Sequence, residues 1–236
     1  MFESLSTIFN ILIYKPILNA LVFLYNVLGN FGLSIIILTI IIKLILDPLN
    51  KKSIESQKAM TEIQPKIKEI QKKYKDNKEE QGRELLKLYK DANFNPFAGI
   101  LVLFLQLPII WALFMVFKTN LDLNAIAPSI YSFISIPQSI NYYFLGVNLA
   151  EPNIFIAIIT AVAQFIQTKT MVPSTPNNKE EKTDMEQAAE MMQKQMVFLA
   201  PIITFFVLFK LPAALGLYWC LSTILNVIQQ KRIYKK

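Results

Sequence analysis

The sequence predicts an all-α membrane protein with five transmembrane helices, an N-terminal interfacial helix and a cytoplasmic helical hairpin. Three observations predict this. Hydrophobic residues make up 53% of the 236 and run in long blocks of Phe, Ile and Leu, with a mean hydropathy of +0.39. A soluble domain of this size could not hide several apolar runs of near-spanning length. The apolar pattern is broken by one densely charged stretch, residues 50–95, whose apolar positions still recur at helical spacing. Lys and Arg are distributed unevenly between successive loops, which fixes an orientation.

Residues 1–28 read as an amphipathic helix. Phe2, Leu5, Ile8, Phe9, Leu12 and Ile13 recur at helical spacing, with Glu3, Ser4, Ser6 and Asn10 between them. Pro16 bends or restarts it, and "LGNFG" closes it. An interfacial helix is the preferred reading, and a further span or half-span over Ile17–Leu28 is its rival. Glu3 stands where a secretory signal would carry basic residues, so a cleaved signal peptide is not expected.

The first span is 29–49. Its apolar core, Phe31–Leu49, has 19 residues and is expected to end at Pro48. At about 1.5 Å per residue that length crosses a hydrocarbon core of about 30 Å. Residues 50–95 follow as the charged hairpin. Lys51–Asp91 holds twelve Lys or Arg against eight Asp or Glu. One apolar stripe runs through Ile54, Met60, Ile63, Ile67, Ile70 and Tyr74, and a second through Leu85, Leu86, Leu88 and Tyr89. Between them "KDNKEEQG" is a turn with Asp76 or Asn77 as helix cap.

The second span, 96–118, starts with Asn95 as cap and Pro96 in the first helical position, and is interrupted by Gln106 and Pro108. Residues 119–152 are the extracytoplasmic loop, aromatic and without Lys or Arg. The third span is 153–171, residues 172–195 are a polar cytoplasmic loop, and 196–210 and 211–229 are the last two spans. Residues 230–236 form a basic tail. Alternation puts 51–95, 172–195 and the tail on one side, with 19 of the 24 basic residues. That side is cytoplasmic, and the C-terminus with it. The fourth span is short: Val197–Phe209 gives 13 apolar residues before Lys210. Either the helix extends backwards through Met191 and Met192 or the bilayer thins locally.

Composition removes several chemistries. With no His, His-dependent zinc sites, Ser-His-Asp triads and His proton relays are excluded. The single Cys220 forms no intrachain disulfide and reads as a small buried hydrophobe. No G-x-S-x-G, P-loop or G-x-G-x-x-G is present. No cofactor, no metal and no enzymatic activity are expected.

Lys43 is the anomaly. It lies inside the first span, in "LTIIIKLILDPLN", with Asp47 one turn on as a possible partner. A Lys near a span's centre costs about 2.5–3.5 kcal/mol on insertion scales. Two readings stand. The ammonium snorkels to the cytoplasmic interface with help from Asp47, or it faces a hydrated cavity inside the bundle. Other polar residues at spanning depth favour a cavity: Thr39, Gln106, Gln164, Gln167, Ser222, Thr223 and Asn226. No acid accompanies them, so an ion relay does not.

The blocks "GNFGLSIIILTIIIKLILDPL", "KAMTEIQPKIKEIQKKYKDN", "LYKDANFNPFAGILVLFLQLPIIWALF", "FLGVNLAEPN" and "LPAALGLYWCLSTILNVIQQ" occur in this order from Gly29 to Gln230. Together they resemble the YidC/Oxa/Alb family of membrane-protein insertases, in its short five-span form. The resemblance implies five helices around a hydrophilic groove, open to the cytoplasm and laterally to lipid. The groove would admit the polar flank of a nascent membrane protein while the apolar segment passes into lipid. Lys43 takes the place of a basic residue that is usually Arg, keeping the charge but not the planar fork. Tyr218 and Trp219 match an aromatic pair that contacts substrate helices, and Gln106 and Gln167 match polar positions. Val102 and Ala214 stand where the family usually has Pro and Gly. The implied partners are nascent membrane proteins, the ribosome and the lipid bilayer, with the Sec translocon and the signal recognition particle pathway as further candidates and no DNA. The implied location is the bacterial cell membrane, multi-pass. The rival readings are a small secondary transporter, which would need an internal repeat, and an intramembrane enzyme, which would need a catalytic pair.

Overall fold

The computed structural model describes residues 2–95, 97–118, 123–171 and 184–235. Pro96 and the stretch 172–183 lie outside them, so the expected Pro start of the second span is not among the described features. The described chain is almost wholly helical, with one two-stranded ribbon. It divides into two compact units: Met1–Ile45 with Gln106–Ile228, and Leu46–Leu105 with Gln229–Lys236.

The first unit begins with α1 (Phe2–Phe9), a π-helical stretch (Asn10–Tyr14) and α2 (Lys15–Leu28). The chain is helical without a break through the π-helical stretch into α2, and Pro16, in the first turn of α2, cannot donate to the turn before it. Gly29 ends α2 in the left-handed conformation at φ 62°, donating its N–H to the Tyr25 carbonyl. Ile17, Leu18, Leu21 and Val22 form the buried face of α2. Ser6–Leu28 is long and apolar enough to cross a membrane by length and composition. The same holds for α3 (Phe31–Lys73), while Gln106–Lys118, Ile154–Thr170 and Val197–Leu208 are shorter apolar helices.

Phe31 anchors the core of this unit, edge-on to Tyr25, Phe117 and Tyr142 with centroids 6.3, 6.0 and 5.1 Å away. Beside it Gly32 leaves the space that the Phe144 ring fills; a Cβ there would collide with it. The segment expected as an outer loop is structured. It contains α6 (Leu123–Ile126), a 3₁₀ turn (Ala127–Ser129) and a ribbon of β1 (Tyr143–Phe144) and β2 (Val147–Asn148). Side chains of α2 hold it. Asn19 donates to the Ser129 carbonyl and accepts from the Tyr131 N–H, and Asn26 donates to the Ser135 carbonyl. The Tyr25 hydroxyl accepts from the Asn141 N–H. The helices α7 (Ile154–Met171) and α8 (Asp184–Leu208) pack on each other.

The helices run past three of the expected boundaries. Pro48 does not end its helix: α3 continues for 43 residues through Pro48 and Pro65. Pro48 cannot donate to the Leu44 carbonyl, but the residues beyond are good helix formers. Lys51–Glu55 and Lys58–Glu62 add i,i+4 pairs there. Residues 184–195, expected as loop, are the first turns of α8, so the backward extension through Met191 and Met192 is the form the helix takes. The tail is helical too, since α9 (Ala213–Tyr234) runs nearly to the end.

The second unit holds the charged hairpin. After Lys73 a turn leads into α4 (Lys78–Asp91), capped by Asn77, whose side chain accepts from the Glu80 N–H at 3.2 Å. Ile54, Ile63 and Ile67 are buried. Ser56 ties the far end by donating to the Asn95 carbonyl and accepting the Asn95 N–H. The helix α5 runs Phe97–Lys118.

Candidate functional site

The first unit has polar groups inside apolar helices, and α3 shows how they come to face inward. Ile35, Leu38, Thr39 and Ile42 are buried, while Ile40, Ile41, Leu44 and Ile45 are exposed. Helical spacing therefore puts Lys43, one turn after Thr39, on the inner stripe. Lys43 is half-buried, and its Nζ donates to Asn226 Oδ1 on α9 at 2.9 Å. The ammonium thus crosses to another helix. Asp47, its expected partner, instead accepts from Gln229 Nε2 at 2.8 Å. The outcome has a physical reason: the Lys stem lies on the buried stripe, whereas Asp47 is exposed.

Thr39 is fully buried and turns its hydroxyl back to the Ile35 carbonyl at 2.6 Å. Its proton is given to its own helix, while the oxygen keeps its acceptor lone pairs. A second interhelical bond joins α5 to α9: Gln106 Nε2 donates to the Tyr218 Oη at 2.8 Å. Tyr218 is 1% exposed, and Ser222 one turn later also bonds its side chain. Trp219, next in sequence, is half-buried, so the two aromatics differ in access. Gln167 is buried on α7.

The structure thus joins Lys43 with Asn226, and Gln106 with Tyr218, as two bonded pairs. Among the described residues, no hydrogen bond joins the two pairs or links either of them to Thr39, Gln167 or Trp219. Sequence reasoning missed Thr160. It is buried on α7 and donates to the Ile156 carbonyl at 2.7 Å and, more weakly, to the Gly216 carbonyl of α9 at 3.4 Å. Gly216 allows this approach, for a Cβ there would sit 2.6 Å from Ile156 Cγ2. Thr204 on α8 is a further buried hydroxyl. A Thr in an apolar helix bonds its own backbone easily, so its spacing carries no signal. Among the described residues no cluster of three His, Cys, Asp or Glu could hold a metal ion.

This arrangement offers a cation, amides and hydroxyls within an apolar bundle. It can attract and solvate a polar or acidic segment, but it supplies no paired acid and base.

Comparison with known proteins gives concordant matches. Residues 23–236 match the family model described as 60Kd inner membrane protein. The chain is 34% identical to a protein named membrane protein insertase YidC from Fusobacterium nucleatum, over 95% of this chain and 98% of that protein. It is 32% identical to one so named from Citrifermentans bemidjiense, and 33% identical to one from Pelobacter propionicus, over 94% of this chain in each case. It spans only 37% and 38% of the length of those two relatives. A crystal structure described as an active YidC insertase with its first transmembrane domain resolved matches with a TM-score of 0.58 and 28% identity. That match covers 91% of this chain and 45% of the other.

Proposed function

The chain belongs to the 60Kd inner membrane protein family, that of the YidC insertases, and from this membership we propose that it is a membrane-protein insertase and chaperone. One observation carries the mechanism. Lys43, at spanning depth, holds its ammonium against Asn226 within a bundle that also buries Thr39, Gln167, Thr204, Ser222 and Thr223. In this reading 29–49, 96–118, 153–171, 196–210 and 211–229 span the membrane and enclose a cytoplasm-open groove. Lys43, Thr39, Gln106, Gln167, Tyr218, Trp219 and Asn226 are its working residues. The N-terminal helix lies at the outer interface. In support, its side chains from Asn19 to Asn26 bond along 129–141, within the loop assigned to the outer side.

No bond is made or broken. A substrate segment partitions into lipid because each Leu, Ile or Phe contributes about −0.3 to −0.6 kcal/mol at mid-helix. About twenty such residues outweigh one or two translocated charges at about 3 kcal/mol each. The groove lowers the barrier by offering the polar flank a cation and hydrogen bonds before it reaches the far side. The basic hairpin 50–95 and tail receive the substrate from the ribosome, with the Sec translocon and the signal recognition particle pathway as further partners.

The test is insertion of a short membrane protein with an acidic flank into proteoliposomes. Lys43→Glu abolishes insertion and Lys43→Arg preserves it. Equal insertion by all three proteins would overturn the electrostatic role. Ion-driven solute uptake by the same liposomes would favour the transporter reading.

A further inference from the structure

The turn between β1 and β2 carries a residue that its backbone disfavours. Tyr143 pairs with Asn148 and Phe144 with Val147, leaving Leu145 and Gly146 as the two turn residues. Both have positive φ, 49° and 80°. A hairpin turn of this kind favours Asn-Gly. Gly146 suits it. At Leu145 the Cβ crowds the backbone, and the side chain has no polar atom to bond locally in compensation. Packing offers no return either, because Leu145 is 87% exposed. The gain from a Leu here has to come from outside the chain.

The chemistry of the surroundings selects the partner. Residues 119–152 contain no Lys or Arg and two acids, Asp122 and Glu151, at the ends of the segment, so its middle offers little to a partner that docks by charge. Beside exposed polar residues such as Gln138 and Asn141, it exposes large apolar and amphipathic side chains. Phe133 is 80% exposed and stacks on Tyr131, and Tyr143 stands exposed before the turn. Tyr beside bare apolar side chains is the pattern of a water–lipid boundary. The apolar exposure continues onto the helix that holds this segment, at Phe23 and Val27. The hairpin is also held in a fixed orientation, with Phe144 filling the space that Gly32 leaves.

We propose that Leu145 and Phe133 insert below the headgroups of the outer leaflet and anchor the 119–152 segment to the lipid surface. This rests on the reading of that segment as the outer loop. The anchor keeps this end of the bundle at a set depth while substrate moves past its lipid-facing side.

The experiment measures depth. Cys220→Ser removes the single Cys, and in that background Leu145→Cys, Phe133→Cys and Gln138→Cys each carry the fluorophore NBD. The full chain is placed in vesicles of phosphatidylethanolamine and phosphatidylglycerol. A nitroxide near the carbonyl end of the acyl chains is expected to quench the probes at 145 and 133 about twofold more than the probe at 138. Tyr143→Cys gives a second reading of the tip should Leu145→Cys disturb the turn. Equal, water-like signals at all positions overturn the proposal. So does a buried signal seen in native membranes but not in pure lipid, the result expected of a protein partner. Because no insertion is measured, an inactive chain with quenched probes defeats the insertase reading alone.

Discussion

Lys43 Nζ and Asn226 Oδ1 lie 2.9 Å apart, linking α3 to α9 by a bond whose donor is charged. Such a bond resists the loss of one partner more than the loss of both, because the orphaned ammonium keeps its desolvation cost. Interhelical bonds in membranes average about 0.6 kcal/mol and reach about 1.7. A charged donor belongs at the upper end. Asn226→Leu is expected to destabilise the protein by about 1–2 kcal/mol. Lys43→Met combined with Asn226→Leu should be more stable than Asn226→Leu alone. Denaturant unfolding in mixed micelles measures both, and strictly additive effects would show that the two side chains are not coupled.

The bond from Gln106 to the buried Tyr218 hydroxyl is predicted to behave in the same way, without a charge. Gln106→Leu removes the donor and leaves the phenol dependent on Ser222. The cost is about 1 kcal/mol. Tyr218→Phe in the Gln106→Leu background should recover part of it, since no unpaired hydroxyl remains. If insertion falls with Gln106→Leu and returns with the double variant, Gln106 acts by positioning Tyr218. If it does not return, the amide serves substrate directly.

Much of this was legible in the sequence, and the gaps have physical causes. Hydropathy and charge marked the apolar helices and the hairpin, because burial in lipid and solvation in water select opposite side chains. The cap at Asn77 and the stop at Gly29 were readable because cap chemistry is local. Pro48 marks no boundary, because the helix-forming residues beyond it outweigh the one hydrogen bond it removes. The ribbon at 143–148 was missed because a two-residue strand shows no alternation and its turn carries Leu where Asn would have announced it. Lys43 was flagged by its cost, but its partner is 183 residues away. No local pattern could have preferred Asn226 over Asp47.

Gly216 is predicted to tolerate no side chain. An added Cβ would stand 2.6 Å from Ile156 Cγ2, at a crossing of α7 and α9 where Thr160 reaches the Gly216 carbonyl. Overpacking of this sort costs about 1–3 kcal/mol. Gly216→Ala should lower the unfolding temperature, and Ile156→Ala in the same chain should restore part of it by vacating the space. A Gly216→Ala protein as stable as the parent would mean the helices separate freely there.

Gly82 is the opposite case. It lies inside α4 with open space where its Cβ would be. Replacing a mid-helix Gly with Ala where the added Cβ meets no neighbour is worth about 0.8–1 kcal/mol. Gly82→Ala should therefore slow amide exchange along α4 by about fivefold, given about 1.4 kcal/mol per tenfold. Unchanged exchange would mean that α4 opens only together with the rest of its unit.

Tyr142 sets the response to alkali. Burial, and secondarily charge on Tyr25, push its hydroxyl from the usual 10.0 up to about 12. A group that holds its proton more tightly when folded adds stability that is fully present below its unfolded pKa. That stability is lost as pH rises through the folded value, here between about 10 and 12. The ring sits 5.1 Å from Phe31, so ionising it places charge beside the aromatic anchor of the first unit. The parent's unfolding temperature should fall more steeply than that of Tyr142→Phe across this interval, while the two curves run parallel below it. Parallel curves throughout would mean that the phenol ionises without cost to the fold.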